Sequence, residues 1–221
     1  MSSSLECLVY TDGVHHLSES LIGDSLIRDK KICLIACGSS AEKFTDAKDY
    51  DVVVGVNRIY QIQSIAKELD ILYHNCSVWN LLGTFAKDLL TFNKNMIILG
   101  IPYKNEKHRS FIQCKITESN LPKKILILDN LRRDLKKIYK TDIFSGTIAL
   151  IHLLQFNPAF IDIYGIDFYD SDYCYNLKHI SRPDITDKPY NPYGHNMKIN
   201  RDLFDDILST SNCRINYISN K

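Results

Sequence analysis

Short apolar runs recur along this chain with helix-like stretches between them, and that alternation constrains its fold more than any other feature. The runs at residues 32–36, 52–56, 71–74, 96–99, 125–128, 159–164 and 215–218 read as strands. Helical patterns fall at 59–69, 78–90, 131–139, 146–154 and 199–208. Phe160, Ile161, Ile163 and Tyr164 leave little polar alternation, which marks an interior strand covered on both faces. Strands of this kind alternating with helices predict one doubly wound, mostly parallel α/β sheet of Rossmann-like type. Ligands bind such sheets in the crevice outside the carboxyl ends of the strands, so the residues that follow each strand become the candidates.

With 221 residues, 45% of them hydrophobic, the chain can bury about 70% of its unfolded surface in a single core. We therefore read residues 31–221 as one domain and the polar residues 1–30 as an N-terminal extension.

The richest segment for chemistry begins at Phe144-Ser145-Gly146-Thr147. Ser145 is placed to cap a buried helix made by Ile148, Leu150, Ile151 and Leu154. The N–H groups of that first turn and the positive end of the helix dipole suit a carboxylate or phosphate. A strand follows, and after it Gly165-Ile166-Asp167-Phe168-Tyr169-Asp170. Residues 170–196 break the alternation, carrying Pro183, Pro189 and Pro192 with Tyr173, Tyr175, Tyr190 and Tyr193. A loop of that length inside a compact domain is usually functional, often as a lid. His195 closes it, with His179 as a reserve imidazole. His152, on an apolar helix, reads instead as a core histidine.

Three other strand ends add candidates. Ala36-Cys37-Gly38-Ser39-Ser40-Ala41 lets Gly38 turn tightly and lets Ser39 and Ser40 either donate to a nucleotide phosphate or form a plain strand-to-helix turn. It lacks the spaced glycines of a dinucleotide fold. Asn57 and Asn75 end successive strands, where they either meet one ligand from neighbouring positions or cap their own loops.

A net charge of +1 with scattered lysines gives no field suited to nucleic acid. Seven cysteines, with Cys33 and Cys37 on or beside a buried strand, fit reduced apolar side chains and a cytoplasmic setting better than bridges. No second Cys/His pair gives them metal-ligand spacing. Neither a signal-like run nor a stretch of ~18 apolar residues occurs, so no transmembrane segment is expected.

Lys31-Ile32-Cys33-Leu34-Ile35-Ala36-Cys37-Gly38-Ser39-Ser40, Asp51-Val52-Val53-Val54-Gly55-Val56-Asn57, Phe144-Ser145-Gly146, Ile163-Tyr164-Gly165-Ile166-Asp167-Phe168-Tyr169 and Tyr193-Gly194-His195 together resemble the sialyltransferases. The likeness runs over residues 31–208, nearer to the bacterial glycosyltransferase family 42 than to the animal enzymes. It implies a GT-A-type variant of the sheet and transfer of sialic acid, or a related nonulosonic sugar, from its CMP ester to a glycan acceptor. It further implies inversion, no metal and no other cofactor. Carried over by position, it makes His195 the general base and Tyr169 and Tyr175 the phenols that meet the departing phosphate. Gly38, Ser39, Ser40, Asn57, Asn75, Ser145, Gly146 and Asp167 become substrate-binding residues, and a homo-oligomer stays open.

The chain departs from that pattern at Ala36 and Cys37, at Asp142 and Phe144, where the family has arginine and threonine, and at Asn200, where the animal enzymes have glutamate. Two other readings stand beside it. Asp170-Ser171-Asp172 is an Asp-x-Asp of the type that ligates a divalent cation on a sugar diphosphate. The departures at Asp142 and Phe144 also suit a nucleotide- or sugar-binding module without turnover.

Overall fold

A computed structural model describes residues 9–11, 13–15, 26–76, 97–102, 124–127, 129–168 and 195–219. Its strands are β1 (Val9–Thr11), β2 (Gly13–His15), β3 (Lys31–Ile35), β4 (Val52–Val56), β5 (Ile71–Cys76), β6 (Ile97–Pro102), β7 (Lys124–Ile127), β8 (Phe160–Tyr164) and β9 (Arg214–Ile218). The helices are α1 (Gln63–Ala66), α2 (Asp129–Tyr139), α3 (Ser145–Leu154) and α4 (Met197–Thr210). All strands join one open sheet in the order β2-β1-β7-β6-β5-β4-β3-β8-β9. From β3 to β9 every pairing is parallel; β1 runs antiparallel to both β2 and β7. The doubly wound α/β sheet expected from the alternation is the fold observed.

The strand order fixes where a ligand crevice can form. From β3 the chain adds β4, β5, β6 and β7 on one side, then returns to lay β8 and β9 on the other. Ile32 thus sits opposite Val52 on one side and Ile161 on the other. The topological switch point lies between β3 and β8, and the turns that follow these strands diverge there.

Period-two alternation explains how the strands are buried. Ile32, Leu34, Val52, Val54, Ile71, Tyr73, Ile161 and Ile163 face one core with α3 and with Leu203 and Phe204 of α4. Cys33, Ile35, Val53 and Leu72 face a second, smaller core closed by Ile59, Tyr60, Ile65 and Ala66.

Local details depart from the expected elements. The helix expected at 59–69 is a 3-10 turn, Asn57–Gln61, followed by the single turn of α1. Ile62 is extended between them (φ −87°, ψ 106°), which lets Ile59, Tyr60, Ile65 and Ala66 all reach the sheet within a short crossover. Within residues 1–30, β1 and β2 form a hairpin added to the β7 edge. The helix expected at 78–90 lies outside the described residues, as does the loop from 170 to 194. Among the described residues no helix is long and apolar enough to cross a membrane.

Candidate active site

At the switch point, the turns after β3 and β8 are bonded to one another. Ala36 N–H donates to Tyr164 O and Gly38 N–H to Gly165 O, both at 2.8 Å, extending the pairing beyond the strands. Gly165 adopts φ +71°, and a Cβ there would stand 2.3 Å from Ala36 O, so only glycine fits. A Cβ on Gly38 would stand 2.5 Å from the Asp167 carboxyl carbon. The missing side chain is what admits that carboxylate.

Asp167 then gathers the serines. Ser40 donates to it from its backbone N–H (3.0 Å) and from Oγ (2.5 Å), and Ser39 Oγ lies 3.5 Å away. Ser40 Oγ also accepts from Gly165 N–H at 2.8 Å, and Ser40 is fully buried. The donors expected to meet a nucleotide phosphate are directed at an anion of the chain itself. Tyr217 OH donates to Ile166 O at 2.6 Å and braces the same turn from β9.

The two strand-end asparagines meet. Asn57 takes a left-handed backbone (φ +54°), which asparagine tolerates better than most residues. Its Oδ1 accepts from Asn75 N–H at 3.0 Å. Asn57 therefore joins the β4 and β5 ends, while Asn75 Oδ1 is buried with no hydrogen-bond partner among the described residues.

The first turn of α3 lies over these turns: a Cβ on Gly146 would stand 2.9 Å from Ile166 Cδ1 and 3.7 Å from Ala36 Cβ. Ser145 does not cap α3, contrary to the expectation. It is the first helical residue, and Phe144, the N-cap, makes no side-chain cap bond. The Phe144 N–H is met by Asn200 Oδ1 of α4 at 2.9 Å. Ile148 N–H already bonds Phe144 O, so helix geometry leaves the N–H groups of Ser145, Gly146 and Thr147 without an intrahelical carbonyl.

His195 is seated beside that turn. It is buried, its ring packs on Phe144 with centroids 4.6 Å apart, and Nδ1 lies 2.8 Å from Asp142 O. A backbone carbonyl can only accept, so Nδ1 carries the hydrogen and Nε2 is the basic nitrogen. Burial pushes the imidazole below its ordinary value of 6.5, the Asp142 carbonyl opposes this, and the nearby Arg132 charge adds to the lowering. A neutral imidazole with a defined tautomer at pH 7 is competent as a general base.

Asp142, one of the departures, organises charge around this histidine. Its carboxylate lies 2.9 Å from Lys136 Nζ and 3.5 Å from buried Arg132, both on α2. Phe144, another departure, supplies the ring against His195 and stacks edge-on with Phe168. Sequence reasoning gave Asn200 and Arg132 no role. For Asn200 a signal existed: it shares the buried side of α4 with Leu203 and Phe204, and a buried carboxamide needs partners.

His152 is a core residue. Its Nδ1 lies 2.5 Å from Tyr73 OH, and burial lowers its pKa to about 4. Cys33 and Cys37 are buried thiols outside any disulfide among the described residues, Cys37 Sγ donating to Val56 O at 3.2 Å, and burial raises the Cys33 pKa. No group of His, Cys, Asp and Glu side chains suited to a metal ion occurs among the described residues. Tyr169, Tyr175, His179, Asp170 and Asp172 lie outside them.

No family model and no curated protein matches the chain. Solved structures do. The sialyltransferase CstII from Campylobacter jejuni, in complex with CMP-3FNeuAc, superposes with a TM-score of 0.58 at 16% identity, over 86% of this chain and 81% of that one. The monofunctional α-2,3-sialyltransferase Cst-I from Campylobacter jejuni gives 0.58 at 17% identity, over 88% and 77%. CST-II in complex with a trisaccharide acceptor and CMP gives 0.56 at 15%, over 86% and 81%. This chain has their fold. At such identities the superposition establishes the fold alone.

Proposed function

We propose that the protein is a glycosyltransferase that moves sialic acid, or a related nonulosonic sugar, from its CMP ester to an acceptor hydroxyl, with inversion and without a metal. The observation that carries this reading is the pairing of His195 with the first turn of α3 above the switch point. The fold shared with sialyltransferases solved with CMP supports it.

In this reading the N–H groups of Ser145, Gly146 and Thr147, which have no intrahelical carbonyl, receive the CMP phosphate together with the α3 dipole. Asn75 and Asn57, at the β5 and β4 ends, contact the donor. Tyr169 and Tyr175 donate to the phosphate as its charge grows, so a leaving group that already bears phosphate departs from an oxocarbenium-like transition state without a Lewis acid. His195 Nε2 takes the acceptor proton as the hydroxyl attacks the opposite face of the sugar. Gly38, Ser39, Ser40 and Asp167 shape the floor of the site by locking the β3 and β8 turns together.

A thermal-shift series tests the donor class, because a ligand that binds the native state raises stability by RT ln(1 + [L]/Kd). Stabilisation by CMP in the presence of chelator is expected. Stabilisation only by a uridine or guanosine diphosphate with Mn²⁺ would replace this reading with the Asp170/Asp172 one, and CMP binding without turnover would leave a binding module. NMR of the product's anomeric centre checks inversion. Tyr169→Phe and Tyr175→Phe are each expected to lower kcat by roughly tenfold to a thousandfold with folding intact; full activity in both removes the phenols from the mechanism.

A further inference from the structure

Asn200 lies in the first turn of α4 with no surface exposed, and its carboxamide joins three segments. Oδ1 accepts from Phe144 N–H at 2.9 Å, one residue before α3. Nδ2 donates to Asp142 O at 3.1 Å and to Asn196 O at 2.9 Å. The Asp142 carbonyl is the one that holds His195 Nδ1 at 2.8 Å. One oxygen therefore receives two N–H donors, and the same amide that fixes that oxygen also fixes the start of α3. Asn196 completes the junction: its N–H donates to Thr141 Oγ1 at 2.9 Å and its own Oδ1 caps α4 through Ile199 N–H at 3.1 Å.

We infer that Asn200 is a positioning residue: it sets the tautomer and seat of the His195 imidazole and ties that base to the helix terminus at a fixed distance. Each part of the amide has one task. The oxygen meets a backbone donor and the nitrogen meets two backbone acceptors, so neither a carboxylate nor an apolar side chain can replace it. Leucine has a similar outline and would strand Phe144 N–H. Aspartate keeps the bond to Phe144 N–H but turns an acceptor toward two carbonyls. The inference rests on the reading of His195 as general base and adds the residue that holds it. The charged groups facing the imidazole are Asp142, from the segment before α3, and Arg132 and Lys136, from α2; Asn200 is a neutral donor among them.

The test uses the full chain with Asn200→Asp and Asn200→Ala, and reads the His195 titration and tautomer by ¹⁵N NMR beside sugar transfer and CMP affinity. The wild type is expected to show the Nδ1–H tautomer. Asn200→Asp faces two carbonyls and, protonated by its burial, can donate to only one of them, so it should displace the midpoint of the imidazole and loosen the Nδ1–H tautomer as the Asp142 carbonyl shifts. The acidic limb of transfer should move with it. Asn200→Ala should lower kcat for transfer by about tenfold or more while CMP affinity, carried by contacts the amide does not make, stays within about threefold. If Asn200→Ala does not fold, Asn200→Asp, close to isosteric, carries the test alone. Folded variants with the wild-type titration, tautomer and kcat overturn the inference. A displaced titration with transfer unaffected in both these variants and in His195→Asn would uphold Asn200 as the residue that seats the imidazole while removing His195 from the proposed chemistry.

Discussion

Two clusters of polar residues meet above the switch point, and they use their hydrogen bonds differently. In the β3/β8 turns, Ser40, Asp167, Gly165 and Gly38 bond to one another, so donors and acceptors are matched within the chain. At the α3/α4 junction, Asn200 and the Asp142 carbonyl serve to present other groups: an imidazole with a defined basic nitrogen and a helix terminus with N–H groups to offer. In the proposed reading the first cluster frames the crevice and the second carries the chemistry. Similar residue types serve opposite ends because what matters is whether each polar atom finds its partner inside the chain.

The sharpest way to break this contrast is at His195. His195→Asn keeps an N–H to offer Asp142 O but has no basic nitrogen, so transfer should fall by at least ~10² while CMP binding and Tm change little. Comparable loss of Tm and activity would make His195 part of the architecture too.

The complementary change is Ser40→Ala. It leaves Gly165 N–H and the Asp167 carboxylate short of a partner, and is expected to cost about 1–3 kcal/mol, a Tm drop of several degrees in a domain of this size. CMP affinity per folded molecule should hold, as titration calorimetry would show; a large loss of affinity at constant Tm would move Ser40 into the donor site.

Acid should destabilise the fold through its buried histidines. Burial lowers His152 to about 4, lowers His74 to about 3 with help from the Arg58 charge, and lowers His195. The unfolded chain therefore binds more protons than the native one below about 6.5, and stability present above that value is lost as pH falls through about 4 for His152 and about 3 for His74. Urea midpoints measured across this window should decline steadily. Tyr73→Phe removes the hydroxyl at His152 and should alter the decline; a flat profile would show that the native imidazoles take up protons as those of the unfolded chain do.

The smallest expected effect is at Ser145. Because it does not cap α3, Ser145→Ala should leave stability nearly unchanged and weaken CMP binding by several-fold at most, through loss of one hydroxyl beside a helix terminus that keeps its backbone donors. Unaltered affinity would restrict the anion site to the backbone.

The parallel sheet is legible from the chain because β-branched runs with no polar alternation admit few other folds, and the carboxyl ends of those strands mark Gly38, Asn57, Asn75, Gly165 and Asp167. The core role of His152 is legible for the same reason, an imidazole amid Ile148, Leu150 and Leu153. Partnership is not. Sequence spacing shows that Ser40 and Asp167 follow two strands but not that they face each other across 127 positions, nor that Asn200 reaches back to Phe144 and Asp142. Those bonds depend on strand order, on the missing Cβ of Gly38 and on the way α4 packs against α3. Periodic burial is a local property that one stretch of chain can encode, whereas the satisfaction of a polar group is a property of distant pairs, and only the folded chain decides it.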